Sequence, residues 1–270
     1  MTLEELVALA LTEDVGPGDV TTESCVSQDT QAKAWIEARG GIVLSGMRAA
    51  EEVFQQMGVA FEALAEDGET LQPMQRVALL SGPARAILTG ERLALNFLMK
   101  LSGIATNTAA YVAAACGEID VVDTRKTTPL HRRLEKDAVV HGGGKNHRFA
   151  LYDAVLIKDN HIQAAGGVAA AIQNAKAASS ELRIQCEVET VAELEEAIAA
   201  GADSVLLDNM DNAMLSECVR VAAGRVETEA SGGMTPERIA TLVGLGLDRV
   251  SVGGLIHQAR WVDLALEFEE

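Results

Sequence analysis

The chain has 270 residues, of which 48% are apolar and 23% are charged, and its formal net charge at pH 7 is −18. This composition is typical of a globular protein with one large domain or two ordinary ones. The acidic balance argues against duplex nucleic acid and anionic membranes as partners, and no apolar run approaches the roughly 20 residues of a membrane span.

The N-terminus and the cysteines predict a cytoplasmic protein. The first residues lack the basic segment of a signal peptide, and Thr2 and Glu5 have the spacing of a helix capping box. The four cysteines are scattered without a CxxC pair. This indicates reduced thiols and neither a zinc site nor a disulfide framework.

Residues 1–104 mix short helices with strand-like segments, which predicts an N-terminal α/β sandwich-like domain with antiparallel strands. We expect a loop over Gly16–Thr22 and strands within AKAWIEARGGIVLSG and RVALLSGPARAIL. The intervening MRAAEEVFQQMG has helical spacing and ends at Gly58. A long helix, roughly Glu91 to Cys116, should lead into the second domain, and residues 258–270 should join the first.

Strand-like segments alternate with Ala-rich or amphipathic helices in residues 105–257. The six segments are IDVVDT (119–124), AVLIKD (154–159), RIQCEVE (183–189), SVLLDN (204–209), VETEAS (226–231) and RVSVGG (249–254). Short buried strands that alternate with helices predict a parallel sheet. Their number and close spacing predict an incomplete α/β barrel, which we expect to be the catalytic domain.

Positive charge is concentrated in one segment, Asp123–His161. It holds 8 of the 22 Lys and Arg residues and 4 of the 5 histidines, against 5 acidic residues. A basic run is often only a solvated helix face. Here the bases lie beside glycines and strand-like segments, so we expect a pocket for a small, highly anionic ligand.

Most of the predicted barrel strands end in polar residues. Arg125 and Lys126 follow the first strand, Lys158 follows the second, and Glu187 and Asp208 lie at the ends of the next two. Sites in α/β barrels lie at the carboxyl ends of the strands. Polar residues near strand ends are expected simply because loops are solvated. Solvation does not explain why Lys158 directly follows the apolar segment VLI. It also does not explain why Glu187 and Glu189 are two residues apart, a spacing that places both on one face of a strand.

The last two predicted units have the features of a phosphate site. Ser231, Gly232 and Gly233 follow one strand, and Thr235 and Pro236 suit the N-cap and first turn of the next helix. Gly253 and Gly254 likewise lie at the end of a predicted strand, in the segment SVGG. Glycine lets backbone N–H groups approach phosphate oxygens, and barrels commonly bind phosphate in these final loops.

Other nucleotide and metal motifs do not fit. GGGKNH at 142–147 lacks the spacing and the hydroxyl residue of a P-loop, and no GxGxxG opens a βα unit. Glu187 and Asp208 are hard oxygen ligands, which suit Mg²⁺ shared with phosphates better than zinc. Each could instead be a carboxylate neutralised by nearby Arg and Lys.

Several motifs together resemble the quinolinate phosphoribosyltransferase family. They are EDVGPGDVTT, GERLALNFLMKLSGIAT, DTRKTTP, GGGKNHR, LYDAVLIKDNHI, EVE, LLDNM, EASGG and SVGG. The resemblance covers nearly the whole chain and implies a barrel of the phosphoribosyltransferase type. The sequence departs from the family pattern at one visible position. Leu130 follows Pro129, where family members usually have Gly, so the conformation of the local turn is in question.

The resemblance implies a reaction. Quinolinate attacks C1 of 5-phosphoribosyl 1-pyrophosphate, pyrophosphate leaves, and the adduct loses CO₂ to give nicotinate mononucleotide for NAD synthesis. Arg125, Arg148 and His147 are expected to clamp the two carboxylates, since guanidinium groups bind carboxylates bidentately. Arg92 is expected to reach quinolinate from a partner subunit, which predicts a homodimer or a higher homo-oligomer.

The remaining site residues are expected to serve the phosphoribosyl donor and the chemical step. Thr124, Lys126 and Lys158 would complete the pocket, with the two lysines divided between the substrates in an unspecified way. Glu187 and Asp208 would bind the ribose hydroxyls and Mg²⁺ and stabilise positive charge at C1. The catalytic set is therefore Lys126, Lys158, Glu187 and Asp208, and the 5′-phosphate would bind Ser231, Gly232, Gly233, Val252, Gly253 and Gly254.

Three alternatives remain open from the residues. Lys158 at the end of an apolar strand could form a Schiff base in a barrel aldolase. A non-catalytic binding protein on the same scaffold would not need all the charged positions. A related phosphoribosyltransferase with a different pyridine acceptor is harder to distinguish from a quinolinate enzyme by sequence, because Leu130 lies near the predicted carboxylate clamp.

Overall fold

The computed structural model describes residues 1–178 and 181–269, and the chain forms two compact units. The first unit comprises Met1–Ala109, Thr128–Gly143 and Ala259–Glu270, and the second comprises Ala110–Thr127 and Gly144–Gln258. The predicted domain boundary after residue 104 stays a prediction. None of the described helices is long and apolar enough to cross a membrane.

Helices and short strands alternate in the first part of the chain. They are α1 (Leu3–Val15), α2 (Val20–Cys25), β1 (Gln31–Ala38), β2 (Ile42–Val43), α3 (Met47–Gln56), β3 (Ala60–Ala63), β4 (Thr70–Leu71), β5 (Arg76–Pro83) and α4 (Ala84–Ala114). The predicted capping box begins α1: the backbone N–H of Glu5 donates to Thr2 Oγ1 at 3.2 Å, and that of Thr2 donates to Glu5 Oε2 at 2.8 Å.

A regular succession of strands and helices follows. It consists of β6 (Asp120–Val122), α5 (Arg132–His141), β7 (Val155–Ile157), α6 (Asp159–Ala165), α7 (Val168–Ala178), β8 (Ile184–Val188), α8 (Val191–Ala200), β9 (Ser204–Asp208), α9 (Asn212–Ala222), β10 (Glu227–Ser231), α10 (Pro236–Ala240), β11 (Arg249–Ser251), α11 (Gly254–His257) and β12 (Leu264–Phe268). All six predicted barrel strands are present, each slightly shorter than predicted.

Two predictions for the first part of the chain are wrong. The predicted loop includes Val20–Thr22, which belong to α2 because Asp19 caps this helix by accepting the backbone N–H of Thr22 at 3.0 Å. The long helix begins at Ala84, directly after β5, and not near Glu91. Buried Ile87 already lies at helical spacing from the buried residues further along α4.

The first unit contains a four-stranded antiparallel sheet in the order β12-β1-β5-β3. Trp35 on β1 is paired with Leu79 on β5 and with Glu267 on β12. The last strand of the chain thus completes the sheet begun near the N-terminus. A short second pair, β2 with β4, is also antiparallel.

The second unit contains six parallel strands in the order β6-β11-β10-β9-β8-β7. All residues of β8 are buried, as expected for a strand covered on both faces. The order leaves β6 and β7 as the two edges of the described sheet, so the barrel is incomplete. Because the strands are parallel, their carboxyl ends share one rim, where the predicted site residues follow the strands.

Candidate active site

A cavity of about 760 Å³ opens at the carboxyl ends of the parallel strands, within the second unit. The predicted ligand residues that line it are Thr124, Arg125, Lys126, His147, Arg148, Lys158, Glu187, Asp208, Ser231, Gly232, Gly233, Val252, Gly253 and Gly254. This volume is within the range of small-molecule sites. Arg92 is exposed on α4 in the first unit and is not among the lining residues.

Two guanidinium groups lie close together in the cavity wall. Burial and the neighbouring positive charge of Arg125 lower the pKa of Arg148. Among the described residues, no partner accepts a hydrogen bond from the buried Arg125 Nε. A buried donor without an acceptor and two adjacent like charges are both unfavourable. The wall is therefore suited to a multiply charged anion that supplies the missing acceptors.

The segment that carries His147 and Arg148 is attached to the edge strand β6. Lys145 forms a parallel bridge with Val122, and the backbone N–H of His147 donates to Asp123 Oδ1 at 2.8 Å. Asp123 is fully buried. These bonds bring the glycine loop of the basic segment beside Arg125, which explains how bases more than 20 residues apart converge.

Both ring nitrogens of His147 face protein atoms. Nδ1 accepts the backbone N–H of Arg148 at 2.7 Å, and Nε2 lies 2.9 Å from Gln185 Oε1. The predicted ligand role of His147 stays a prediction, but this geometry favours a supporting role. The predicted clamp roles of Arg125 and Arg148 likewise stay predictions.

The acidic residues of the site lie on neighbouring strands. Glu187 on β8 is largely buried, and its Oε2 lies 3.4 Å from Lys158 Nζ, which follows β7. Asp208 ends β9 and accepts a hydrogen bond from Asn209 Nδ2 at 2.6 Å. Glu189 was expected to share a strand face with Glu187, which is wrong because β8 ends at Val188 and Glu189 is exposed.

The two glycine loops follow β10 and β11. Gly232 has φ +95°, and a Cβ atom there would overlap the side chain of Asn209. A Cβ on Gly253 would lie 2.8 Å from Lys126 Cδ, so the lysine stem passes directly over this glycine. Thr235 caps α10 by accepting the backbone N–H of Arg238 at 3.2 Å, and Pro236 is at the predicted first position.

The sequence interpretation missed several residues that line the cavity. They are Leu156, Leu206, Asn209, Glu229, Met234, Ser251, His257 and Gln258. Glu229 could have been identified, because it lies two residues before Ser231 on the same strand and so on the same face. The apolar lining residues carry no comparable signal.

Leu130, the residue at which the sequence departs from the family pattern, lies in a turn of the first unit. Leu130 has φ +68° and its exposed fraction is 72%. The turn is held by Glu135, whose Oε2 accepts the backbone N–H of Thr128 at 2.8 Å, and by Lys100 Nζ, which donates to Thr128 Oγ1 at 2.9 Å. Leu130 therefore occupies a backbone conformation that favours glycine.

Comparison with known proteins gives one consistent family. A sequence model described as "Quinolinate phosphoribosyl transferase, N-terminal domain" matches residues 19–102, and one described as "Quinolinate phosphoribosyl transferase, C-terminal domain" matches residues 104–267. The probable nicotinate-nucleotide pyrophosphorylase (carboxylating) of Bacillus subtilis (strain 168) is 39% identical over 269 residues, covering 98% of this chain and 93% of the relative.

Solved structures agree with this result. The nicotinate-nucleotide pyrophosphorylase from Francisella tularensis matches with a TM-score of 0.96 and 37% identity, covering 99% of this chain and 96% of that one. A NadC structure from Streptococcus pyogenes matches with a TM-score of 0.95 and 41% identity, covering 99% and 97%. The chain belongs to the quinolinate phosphoribosyltransferase family.

Proposed function

We propose that this enzyme transfers phosphoribosyl from 5-phosphoribosyl 1-pyrophosphate to quinolinate and releases nicotinate mononucleotide, pyrophosphate and CO₂, a step of de novo NAD synthesis. Family membership supports the reaction. The observation that supports the acceptor's position is Arg125: its buried Nε has no partner among the described residues, and it lines a cavity with three further cations, Lys126, Arg148 and Lys158.

Arg125 and Arg148 bind the two carboxylates of quinolinate. A dianion relieves the repulsion between the guanidinium groups and supplies the acceptor that Arg125 Nε lacks. This holds the pyridine nitrogen towards C1 of the donor. Orientation of this kind lowers the barrier by removing rotational freedom before the reaction.

The donor lies across the remaining part of the cavity. The backbone N–H groups of the loops Ser231–Gly233 and Val252–Gly254 bind its 5′-phosphate. Lys126 crosses Gly253 and so reaches the donor phosphates, which supports assigning this lysine to the donor. Glu187 and Asp208 bind the ribose hydroxyls and stabilise the positive charge that develops at C1 as pyrophosphate leaves.

Glu187 and Asp208 would also hold Mg²⁺. Within residues 1–178 and 181–269, no group of three or more His, Cys, Asp or Glu side chains is arranged to hold an ion alone. Two carboxylates suit a hard cation such as Mg²⁺. A bound Mg²⁺ would offset negative charge on the pyrophosphate, so a chelator should stop turnover and added Mg²⁺ should restore it.

Decarboxylation follows ribosylation and needs no organic cofactor. The departing CO₂ leaves an electron pair at C2, which the adjacent positively charged ring nitrogen stabilises, and that carbon then takes up a proton. Arg125 and Arg148 hold the ring, while the apolar Leu156 and Leu206 of the lining limit water near it. The protein's contribution to this step is orientation and exclusion of water.

The assembly and the location are also part of the proposal. A homodimer or a higher homo-oligomer brings Arg92 of one subunit to the acceptor site of another, which its exposed position on α4 permits. A cytoplasmic location is supported by four free cysteines, two of them buried.

The decisive experiment is an acceptor assay. The purified protein is incubated with the phosphoribosyl donor, Mg²⁺ and quinolinate labelled at its 2-carboxylate, and labelled CO₂ and pyrophosphate are measured. We expect equal amounts of both. Nicotinate in place of quinolinate is the matched comparison and should not be used. Turnover of nicotinate alone would assign a different acceptor, and turnover of neither would overturn the proposed function.

A further inference from the structure

A buried polar network adjoins the cavity, and its members His147 and Glu229 also line it. Gln185 on β8 has an exposed fraction of 4%, and Glu229 on β10 is fully buried. Gln185 Nε2 donates to Glu229 Oε2 at 2.8 Å. Burial of a carboxylate and an amide costs free energy unless both have well-placed hydrogen-bond partners. The network therefore indicates that these residues hold a neighbouring part of the structure in place.

Glu229 is surrounded by groups that favour its ionised form. Burial raises its pKa, but the contact with His147, the charge of Arg249 and a hydrogen bond with Ser251 outweigh burial, so the pKa of Glu229 lies below its ordinary value. Arg249 Nε lies 2.8 Å from Glu229 Oε2. The carboxylate is therefore a fixed hydrogen-bond acceptor.

The network determines where His147 carries its proton. Because Gln185 donates its amide N–H to Glu229, its carbonyl Oε1 faces His147, and Nε2 of the ring must donate to it at 2.9 Å. Glu229 Oε2 lies 3.4 Å from the same ring nitrogen. The other nitrogen, Nδ1, accepts the backbone N–H of Arg148 at 2.7 Å. In this arrangement Nδ1 is the acceptor of the ring and Nε2 is its donor.

We propose that Glu229 is a positioning residue, which holds His147 through Gln185 and thereby fixes the backbone that carries Arg148 in the cavity. The chain of contacts runs from Glu229 through Gln185 to His147 and the backbone of Arg148. His147 then acts through its orientation of that backbone. This inference rests on the proposed function only for the identity of the acceptor that Arg148 binds.

The substitution Glu229→Gln tests it, with Glu227→Gln as the matched control. Both remove one carboxylate from β10 and one partner of Arg249, but Glu227 contacts Arg183 and Arg249 and does not hold His147. Thermal melting first verifies that both variants are folded. We expect Glu229→Gln to raise the KM for quinolinate roughly tenfold, with little change in the KM for the phosphoribosyl donor. Glu227→Gln should leave both KM values near those of the unmodified enzyme.

A second readout does not depend on activity. Nitrogen-15 NMR of the imidazole rings, with His147 assigned by its loss in His147→Gln, reports which nitrogen is protonated. In the unmodified protein the proton of the neutral ring should lie on Nε2 and not on Nδ1, as the contacts with Gln185 and the Arg148 backbone require. Glu229→Gln should lose this single protonation pattern, whereas Glu227→Gln should keep it.

The outcomes separate the two proposals. A neutral-ring proton on Nδ1 of His147 in the unmodified protein, or an equal rise of both KM values in Glu229→Gln, overturns the positioning role. If the unmodified enzyme does not use quinolinate, the proposed function fails, but the NMR comparison of the two variants still decides whether Glu229 holds His147.

Discussion

Lys158 Nζ lies 3.4 Å from Glu187 Oε2, so neighbouring strands β7 and β8 place opposite charges at one rim of the sheet. The lysine side chain is half exposed, whereas that of Glu187 is largely buried. Schiff-base lysines are activated in apolar or strongly cationic surroundings. A solvated lysine paired with a carboxylate does not fit that role, and it fits an electrostatic role at the site of a phosphorylated substrate.

Replacement of Lys158 separates these roles. Lys158→Met should lower kcat/KM by about 10²-fold because a charge near the reacting groups is lost. Lys158→Arg keeps the charge and should retain a larger share of activity. Borohydride treatment with carbonyl substrates should leave the mass of the protein unchanged, and a covalent adduct at Lys158 would instead support the aldolase alternative.

Arg125→Ala should weaken quinolinate binding. Loss of a charge-assisted hydrogen-bonding group costs about 2 kcal/mol, or roughly thirtyfold in Kd, measured by calorimetry. Arg48→Ala removes an exposed arginine from α3 and is the matched control. The melting temperature of Arg125→Ala should stay near that of the unmodified enzyme, because Arg125 Nε has no described partner to lose. A large fall in melting temperature with unchanged Kd would make Arg125 a structural residue.

The first phosphate loop allows a paired glycine test. In Gly232→Ala, the new Cβ would overlap Asn209 Oδ1 and lie 3.2 Å from its Cα, so the loop has to move. In Gly233→Ala, nothing lies within 4 Å and only the φ of +59° is strained, at about 1 kcal/mol. We expect Gly232→Ala to raise the KM for the phosphoribosyl donor far more than Gly233→Ala does. Equal effects would show that backbone strain alone is responsible.

Leu130→Gly should stabilise the protein slightly. Relief of a left-handed conformation is worth about 1–2 kcal/mol, and the greater freedom of glycine in the unfolded chain offsets about 0.5–1 kcal/mol. Leu130→Ala keeps the strain and removes the exposed side chain, so its unfolding free energy should be close to that of the unmodified protein. Denaturant unfolding measures both. If Leu130→Gly is destabilising, the leucine side chain stabilises the turn by a contact of its own.

The shared-site hypothesis predicts complementation between two impaired variants. At quinolinate concentrations near the KM of the unmodified enzyme, Arg92→Ala and Arg125→Ala should each have strongly reduced activity alone. Co-expressed, they should form mixed oligomers in which some sites combine an intact Arg92 with an intact Arg125 from different subunits, and activity should partly return. Failure to recover activity in mixed oligomers verified by mass spectrometry would place Arg92 outside the acceptor site.

Local patterns were sufficient for the six parallel strands and for most of the cavity lining. Short segments between helices identify the six parallel strands, and several of them are largely apolar, as expected for strands covered on both faces. The polar β10 follows instead from the regular alternation with helices. The parallel direction brings the strand ends to one rim, so Arg125, Lys158 and Glu187 could be placed together without coordinates. Local patterns gave the wrong secondary structure where a single side-chain hydrogen bond determines it. Asp19 caps α2, so residues that were predicted to form a loop begin a helix.

The tertiary structure alone decided how the side chains meet. The sequence identifies His147 as a charged candidate beside Arg148, but its contacts with Gln185 and Glu229 join segments 38 and more residues apart. Hydrogen bonding between such distant groups depends on strand order and register, which composition and spacing do not encode. For the same reason the left-handed φ of Leu130 is visible only in the folded chain, where the surrounding turn holds it.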